Sequence, residues 1–321
     1  MKKAVFIIPY FGKIPPYFKL WMKTASMNKD IDYRIYTDDF ACQTISPNIF
    51  INHLSFSDFK AKVQDKFEFT IALHSPRKLC DFKPAYGYIF EEEIGVYSYW
   101  GYCDIDIVQG NLDRMIPWDK GYQKLFVHGH MTLFQNTPQI NRLFMTKVDG
   151  YGTYKQIFSD PANKIFDESS DGLNINLIAN QKGTSTYIDY RIADINPYHY
   201  MFCRTLYDYS LPFKKGRAIT IEEVGKQLFL WEDGRLYRLF MKNSNLQQEE
   251  VRYFHFQKRQ LNIMPSTLEC SRFVIVPNNV FPIQEEITAD ALNELVRNII
   301  IYPQYYRLKW NNLKKKIRKI L

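Results

Sequence analysis

The sequence predicts an α/β fold with a mainly parallel sheet. Three segments near the N-terminus carry this prediction: a buried strand at 4–10, a helix at 16–28 and a second strand at 32–39. Because parallel strands need a crossover connection, usually a helix, this order is typical of a βαβ unit. The length of 321 residues is enough for one large α/β domain or two smaller ones.

The later segments extend this alternation of strands and helices. Their order is a loop and helix at 75–94, a strand at 96–108, a strand at 124–136, a helix at 137–148, two strands around a turn at 225–242, a strand at 249–259 and a helix at 288–300. Thr137 and Thr288 stand at the starts of two of these helices, where threonine is a common cap. Residues 150–215 give no clear pattern.

The composition indicates a globular protein with an unevenly charged chain. Hydrophobic residues make up 46% and charged residues 24% of the sequence. The eight Lys and Arg residues after Glu294 account for the whole net charge of +8. The body is therefore neutral, without the basic stripe of a nucleic-acid-binding protein.

The cysteines and the apolar runs exclude several other classes. The five cysteines are far apart and show no C-x-x-C spacing, so neither a zinc-cysteine site nor a disulfide framework is expected. The apolar run at 4–8 is shorter than the roughly 7–15 residues of a signal-peptide core. No stretch approaches the ~18 apolar residues of a membrane-spanning helix. The scattered cysteines favour a cytoplasmic protein with reduced thiols.

Two carboxylates interrupt the apolar stretch YWGYCDIDIVQGNL at 99–112. On a strand, Asp104 and Asp106 point to the same face. They stand near the carboxyl end of the predicted strand, where ligands bind in open α/β sheets. Paired carboxylates suit a hard cation such as Mg²⁺ or Mn²⁺, which in turn suits a diphosphate. The alternative is a pair of solvated acids at an exposed strand end.

This stretch resembles the D-x-D element of nucleotide-sugar-dependent glycosyltransferases of the GT-A fold. The chain is also similar to a group of bacterial glycosyltransferase-like proteins found with polysaccharide biosynthesis, and more distantly to retaining sugar transferases. The similar segments are CDFKPAYGYIF, IIPYFGKIPPYFKLWMKTASMN, HGHMTLFQNT and YFHFQKR, which together span most of residues 4–260 in order.

The resemblance implies a Rossmann-like domain over residues 1–295, with a mostly parallel central sheet and helices on both faces. Residues 1–125 are expected to bind the nucleotide sugar, and residues 126–295 to bind the acceptor and supply a late metal ligand. Residues 296–321 are expected to form a separate basic tail.

The resemblance also assigns roles around the first strands. Asp106 is expected to bind the metal directly, and Asp104 to bind the metal or the ribose of the donor. Pro9 and Tyr10 are expected to line the nucleobase pocket, and Asp38 to contact base or ribose. Tyr10 is equally typical of a core aromatic.

The segment RKLCDFKP at 77–84 is expected to contact the donor. The resemblance implies that Asp81 hydrogen-bonds the hydroxyls of the donor sugar and that Lys83 lies near the phosphates. Such a lysine neutralises charge that builds on the leaving group. The alternative is a solvated helix N-terminus, where Asp81 favours the helix dipole.

Three histidines are candidate site residues. The resemblance makes His255 the third metal ligand, and an imidazole ligand favours Mn²⁺ over Mg²⁺; the alternative is a histidine that bonds only to backbone. Lys258 is expected to reach the phosphates. His128 and His130 look like an H-x-H zinc pair without an apparent third ligand, and the resemblance favours sugar binding for both.

The acid-rich segment FDESSDG at 166–172 is the candidate catalytic segment. In an inverting reaction Asp167, Glu168 or Asp171 would deprotonate the acceptor hydroxyl, and Glu168 is favoured over Asp167. In a retaining reaction, which the distant resemblance favours, the acid would stabilise positive charge on the sugar. The alternative is a polar loop with capping acids.

The C-terminal residues 301–321 have the pattern of an amphipathic helix on an anionic membrane surface. The apolar side has a spacing of three or four residues and consists of Tyr306, Trp310, Leu313, Ile317 and Ile320. The alternatives are a last helix packed on the body and a nucleic-acid-binding arm.

Taken together, these patterns predict a metal-dependent glycosyltransferase on the inner face of the cytoplasmic membrane. Its expected donor is a nucleotide-diphosphate sugar, with UDP favoured, and its expected acceptor is a saccharide or lipid-linked oligosaccharide in surface polysaccharide synthesis. Mn²⁺ or Mg²⁺ is the expected cofactor. The alternatives are a nucleotidyltransferase, although a Gly-rich phosphate loop is missing near the N-terminus, and a non-catalytic carbohydrate- or nucleic-acid-binding protein.

Overall fold

The computed structural model describes residues 2–44, 46–168, 172–207, 219–223, 225–297 and 303–317. Asp171, one of the candidate general bases, and Ile320 of the predicted tail helix lie outside the described residues.

The described strands, in chain order, are β1 (Ala4–Pro9), β2 (Ile31–Thr37), β3 (Ile49–His53), β4 (Tyr99–Cys103), β5 (Ile107–Gln109), β6 (Lys124–His128), β7 (Met131–Gln135), β8 (Thr186–Tyr187), β9 (Ala193–Asp194), β10 (Thr205–Tyr207), β11 (Ile219–Ile221), β12 (Gln227–Glu232), β13 (Arg235–Lys242), β14 (Asn245–Glu250), β15 (Tyr253–His255), β16 (Asn262–Ile263), β17 (Arg272–Val276) and β18 (Asn279–Pro282).

The described α-helices are α1 (Phe18–Ala25), α2 (Phe56–Gln64), α3 (Leu79–Phe82), α4 (Tyr86–Ile89), α5 (Leu112–Met115), α6 (Pro138–Asn141), α7 (Tyr154–Ser159), α8 (Ile175–Gln181), α9 (Ala289–Arg297) and α10 (Pro303–Ile317). Short 3-10 turns lie at Pro76–Lys78, Lys83–Ala85, Trp118–Lys120, Leu143–Met145 and Pro265–Leu268.

The α/β prediction is confirmed, and a mostly parallel sheet forms the centre of the fold. Its seven strands are ordered β3-β2-β1-β4-β7-β6-β8. Every neighbouring pair is parallel except the two pairs that include β7, which runs antiparallel to β4 and to β6. The predicted unit of strand, helix and strand at the N-terminus is β1, α1 and β2.

The central sheet is covered on both faces, as its apolar strands require. Alternate residues of β1 enter two different cores, with Val5 and Ile7 in one and Phe6 and Ile8 in the other. The first core also takes side chains from α2, α3, α4 and α8, and the second takes side chains from α1. Because both faces are buried, the carboxyl ends of the strands remain as the edge where polar groups can gather.

The prediction of one strand over 96–108 is wrong in a way that matters for the site. β4 ends at Cys103, Asp104 to Asp106 form an irregular bend, and the chain then continues as β5 in a different sheet. Ile105 within the bend and Ile107 after it are buried in the same core. The apolar alternation therefore continues through the bend, and the sequence does not reveal the break. The two aspartates therefore lie at a crossing between sheets, not on a strand.

Two other predicted elements are also subdivided. The predicted strand 124–136 is a hairpin, in which β6 and β7 pair on either side of a turn at Gly129 and His130. The predicted helix within 75–94 is a series of short helical turns, because Pro84 lacks the backbone donor that a continuous helix needs. The caps at Thr137 and Thr288 are confirmed, since their side chains accept from the backbone N–H groups of Ile140 and Ala291.

The later half of the chain adds two further sheets. A six-stranded sheet has the order β14-β13-β12-β17-β18-β16, and a small three-stranded sheet has the order β5-β15-β9. The small sheet brings together segments that are far apart in sequence, because β15 pairs with both β5 and β9.

Candidate metal centre and cleft

The small sheet places His255 beside the two aspartates. His255 at the end of β15 pairs with Ile107 of β5, directly after the D-x-D bend. The backbone N–H of Phe256 donates to the carbonyl oxygen of Asp106, and the N–H of Asp104 donates to the carbonyl oxygen of His130. These two backbone bonds fix the conformation of the bend between the two sheets. The side chains of Asp104 and Asp106 are therefore held in place although neither residue belongs to a strand.

Asp104, Asp106 and His255 form a group that can hold a metal ion. One ligand atom from each lies within 4.8 Å of the other two. The Nε2 atom of His255 is 3.4 Å from Oδ1 of Asp106. Two carboxylate oxygens and one imidazole nitrogen suit Mn²⁺, which accepts nitrogen more readily than Mg²⁺ does. The residues predicted from the D-x-D stretch and from YFHF therefore meet at one point.

Asp194 is part of this centre and was not predicted from the sequence. Its Oδ1 atom lies 2.8 Å from Nδ1 of His255 and also accepts a hydrogen bond from Gln257 at 2.7 Å. Burial opposes its charged form, but the hydrogen bond from His255 holds the pKa of Asp194 below its usual value. A buried carboxylate that orients a ligating histidine is a common feature of metal sites.

The two carboxylates also set the charge of His255. Burial opposes its protonated form, yet Asp106 and Asp194 raise the pKa of His255 well above its usual value. In the metal-free chain the imidazolium is thus the positive charge between two acids. A divalent cation can take over that role, because metal binding to histidine releases a proton.

Lys83 balances a second pair of acids. Its Nζ atom donates to Oδ1 of Asp104 at 2.8 Å and to the carbonyl oxygen of Gly129 at 2.8 Å, and lies 3.2 Å from Oδ2 of Asp167. Although burial opposes its charged form, Asp104 and Asp167 raise the pKa of Lys83 well above its usual value. Lys83 therefore holds Asp104 in place at the cleft wall.

A cleft of about 570 Å³ opens in front of these residues. Both aspartates of the D-x-D bend line it, together with Lys83, Asp167 and Glu168. Pro9 and Tyr10, which the sequence placed at a nucleobase pocket, lie on its wall at the end of β1. The cleft is thus lined by both aromatic and acidic side chains.

The two candidate catalytic acids, Asp167 and Glu168, both line the cleft. Asp167 is buried, and burial raises its pKa to about 7. Glu168 is more exposed, and its Oε2 atom accepts a hydrogen bond from the N–H of Gly129 at 2.7 Å. A Cβ at Gly129 would lie 2.6 Å from Oδ2 of Asp167, so only glycine permits this approach.

His128 and His130 lie beneath the cleft. Their exposed fractions are 1% and 5%, and neither is among the described residues that line it. The rings of the two histidines stack with centroids 4.8 Å apart, and the ring of His130 stacks on that of His255 at 4.4 Å. Such burial does not support the predicted direct contact of these histidines with a sugar.

Two other predicted donor contacts occupy positions that do not favour that role. Asp81 is fully buried, pairs with Lys78 at 2.6 Å and accepts backbone N–H groups of Lys164 and Phe166. Asp38 accepts the backbone N–H of Gly12 at 2.6 Å, and is not among the described residues that line the cleft. Both carboxylates thus hold loops beside the cleft.

The segment after β15 contributes one exposed cation. Lys258 is exposed and lines the cleft, as its predicted role at the phosphates requires. The neighbouring Arg259 is buried and donates to the carbonyl oxygen of Tyr200 at 3.0 Å and to Oδ1 of Asn278 at 3.1 Å. Lys258 is therefore the cation of this pair that lines the cleft.

Residues 6–284 match a family of unknown function, DUF6625. The chain belongs to this family. The matched region includes every residue of the candidate metal centre and ends before α9 and α10. No curated protein matches the chain.

Proposed function

We propose that this member of the DUF6625 family is a metal-dependent glycosyltransferase. It transfers a sugar from a nucleotide-diphosphate donor, UDP being the favoured nucleotide, to a saccharide acceptor. The GT-A fold is part of this proposal, and the mostly parallel sheet with the D-x-D bend after a central strand supports it.

One observation carries the proposal: Asp104, Asp106 and His255 place ligand atoms within 4.8 Å of one another, and both aspartates line an open cleft. A Mn²⁺ or Mg²⁺ ion held there supplies positive charge to a diphosphate leaving group. Lys258 adds a second positive charge on the same cleft. This arrangement suits a strongly anionic ligand such as a diphosphate, whose charge the metal ion and Lys258 would neutralise together.

The aromatic residues that line the cleft support a nucleotide as the ligand. Tyr10 and Tyr17 both line the cleft near the metal centre. Tyrosine rings offer flat apolar faces with a polar tip, which suit stacking on a nucleobase. Burial, followed by the negative charge of Asp106, raises the pKa of Tyr10, so its hydroxyl remains a hydrogen-bond donor at neutral pH.

The test is calorimetry with UDP in the presence and absence of Mn²⁺, followed by a panel of nucleotide sugars. We expect Mn²⁺-dependent binding of UDP and release of a nucleoside diphosphate from one donor. Release of pyrophosphate from a nucleoside triphosphate would favour the nucleotidyltransferase instead. Nucleotide binding that is indifferent to the metal would contradict the proposal.

The C-terminal helix supports a peripheral membrane location, which we include in the proposal. Tyr306, Trp310, Leu313 and Ile317 of α10 are between 47% and 57% exposed, so about half of this apolar side is open to solvent. Basic residues surround it, and anionic lipid attracts such segments. No helix among the described residues is long and apolar enough to cross a membrane.

Removal of residues 303–321 tests the tail. We expect the truncated protein to lose co-sedimentation with phosphatidylglycerol vesicles, while its Mn²⁺ affinity stays that of the full chain. Vesicles of phosphatidylcholine alone serve as the uncharged control. Undiminished binding of the truncated protein to anionic vesicles would exclude the tail as the membrane anchor.

A further inference from the structure

A second group of metal-ligating side chains lies behind the D-x-D centre. His128, His130 and Glu168 each place a ligand atom within 4.8 Å of the other two. The sequence offered the H-x-H pair without a third ligand, and the fold supplies it from the acid-rich segment forty residues later. This group shares no residue with the group formed by Asp104, Asp106 and His255.

His130 is the residue that requires an explanation. It is 5% exposed, and neither of its ring nitrogens has a hydrogen-bond partner among the residues that the structure describes. A buried imidazole without partners loses its hydration and gains nothing in return. An ion bound to one of its nitrogens removes that cost.

The carboxylate of Glu168 is oriented toward the pair of histidines. The N–H of Gly129, the residue between them, donates to Oε2 of Glu168 at 2.7 Å. A Cβ at Gly129 would lie 2.9 Å from Cδ of Glu168, so the glycine is what lets the carboxylate approach. Ligating carboxylates in metal sites are commonly fixed by such a second hydrogen bond.

His130 has one other possible set of co-ligands, Asp194 and His255. The Oδ1 atom of Asp194 already accepts from His255 and from Gln257, and its Oδ2 atom accepts from the hydroxyl of Tyr207. An ion there would have to displace these bonds and would compete for the histidine of the D-x-D centre. The group that contains Glu168 leaves the histidine of the D-x-D centre to its own ligand set.

We propose that His128, His130 and Glu168 bind a zinc ion at a second site, distinct from the D-x-D centre. Two imidazoles and one carboxylate are a known ligand set of zinc sites that keep an open position. Tetrahedral zinc holds its donors roughly 3.4 Å apart, so the three side chains close by about 1.4 Å or less when the ion binds. This inference does not depend on the glycosyltransferase proposal.

The site gives Glu168 a role other than that of a general base. Glu168 lines the cleft, so an ion held by it would lie beside the same space as the D-x-D centre. A carboxylate bound to zinc is not free to accept a proton from an acceptor hydroxyl. Whether the protein binds zinc therefore distinguishes Glu168 as a zinc ligand from Glu168 as a general base.

The test is a zinc titration of the full chain against a chromophoric chelator, with Mn²⁺ present to fill the D-x-D centre. We expect one tight zinc ion in the wild type and in His74→Gln, a control at an exposed histidine. Glu168→Gln, at a position that need not disturb the core, should weaken zinc at least about 100-fold. Asp106→Asn should retain the zinc ion. Visible absorption after substitution with Co²⁺ should likewise be present in the wild type, His74→Gln and Asp106→Asn, and should be weakened in Glu168→Gln.

The outcomes distinguish the possible sites. Zinc affinity that is unchanged in Glu168→Gln and in His130→Gln overturns the proposal, and leaves Glu168 free for acid–base work. Loss of the tight ion in Asp106→Asn assigns it to the D-x-D centre and overturns the proposal as well. Loss in Asp194→Asn without loss in Glu168→Gln assigns it to the group of Asp194 and His255, with the same consequence.

Discussion

Two regions of the molecule gather charged side chains below the surface, and they differ in how the charges balance. Where the ends of β10 and β11 meet β13 and β14, the two arginines Arg204 and Arg238 each contact both Glu222 and Glu249. At the cleft, each basic group is shared between two acids. Lys83 lies between Asp104 and Asp167.

His255 lies in the same way between Asp106 and Asp194. The arginine cluster pairs two bases with two acids, whereas the two bases Lys83 and His255 are shared among four aspartates. Carboxylates held close together disfavour one another's ionised forms. The first region is balanced by its own side chains, and the second suits the cation proposed above.

The largest expected effect is the loss of metal binding in Asp106→Ala. We expect Mn²⁺ affinity measured by calorimetry to fall at least about 100-fold, because a first ligand contributes more than a residue behind it. Any metal-dependent donor cleavage should disappear with it. Asp119→Ala, at an exposed carboxylate, is the control. Full Mn²⁺ affinity in Asp106→Ala would remove the distinction between the two regions.

Glu222→Gln tests the opposite region. It leaves Arg204 and Arg238 short of one negative partner in a half-buried setting, so the free energy of unfolding should fall by about 2–3 kcal/mol. Denaturant unfolding measures this, with Glu286→Gln at an exposed position as the control. Mn²⁺ affinity should stay unchanged. A large loss of Mn²⁺ affinity without loss of stability would reverse the assignment of the two regions.

Asp194→Asn sharpens the account of the cleft. The amide has no negative charge with which to orient the imidazole of His255. Mn²⁺ affinity should therefore fall by about 10–100-fold. Asp189→Asn removes a carboxylate of similar burial that contacts Arg191 and Arg252 instead, and should leave Mn²⁺ affinity unchanged. Equal losses in both variants would indicate a general effect of removing a buried acid.

Lys124 provides a third case, a buried cation whose hydrogen bonds go to neutral groups. Burial lowers its pKa to about 7, and its Nζ atom donates to Oδ1 of Asn176 at 2.7 Å. Because the unfolded chain binds this proton up to about pH 10, stability should rise with pH between 7 and 10. The rise is on the order of 1 kcal/mol per pH unit.

Lys124→Met should remove that rise. Denaturant unfolding of the wild type and the variant at several pH values gives the difference between the two slopes. Identical slopes would show that Lys124 keeps its proton in the folded state.

Much of the site follows from local patterns that the sequence displays. The order of strand, helix and strand at the N-terminus was predictable because apolar periodicity is strong there. The D-x-D pair stands out because two acids interrupt an apolar stretch. His255 also stood out, although its role came from a resemblance and not from its spacing.

The residues that were missed depend on pairing between distant segments. Asp194 meets His255, 61 residues later, only because β9 and β15 pair in parallel. Its own signal was an acid within the apolar segment Ile192 to Ile195, the same kind of signal that drew attention to Asp104. The break after Cys103 was not predictable, because the apolar alternation continues across it while the chain changes sheets.

The crossing of the chain from β4 to β5 also sets an order of events during synthesis. The two aspartates leave the ribosome long before β15, and β5 has no partner strand in the small sheet until β15 arrives. The three proposed ligands can therefore come together only after most of the chain has been made and folded. Under the proposed function, uptake of the metal would be a late event that reports a completed fold.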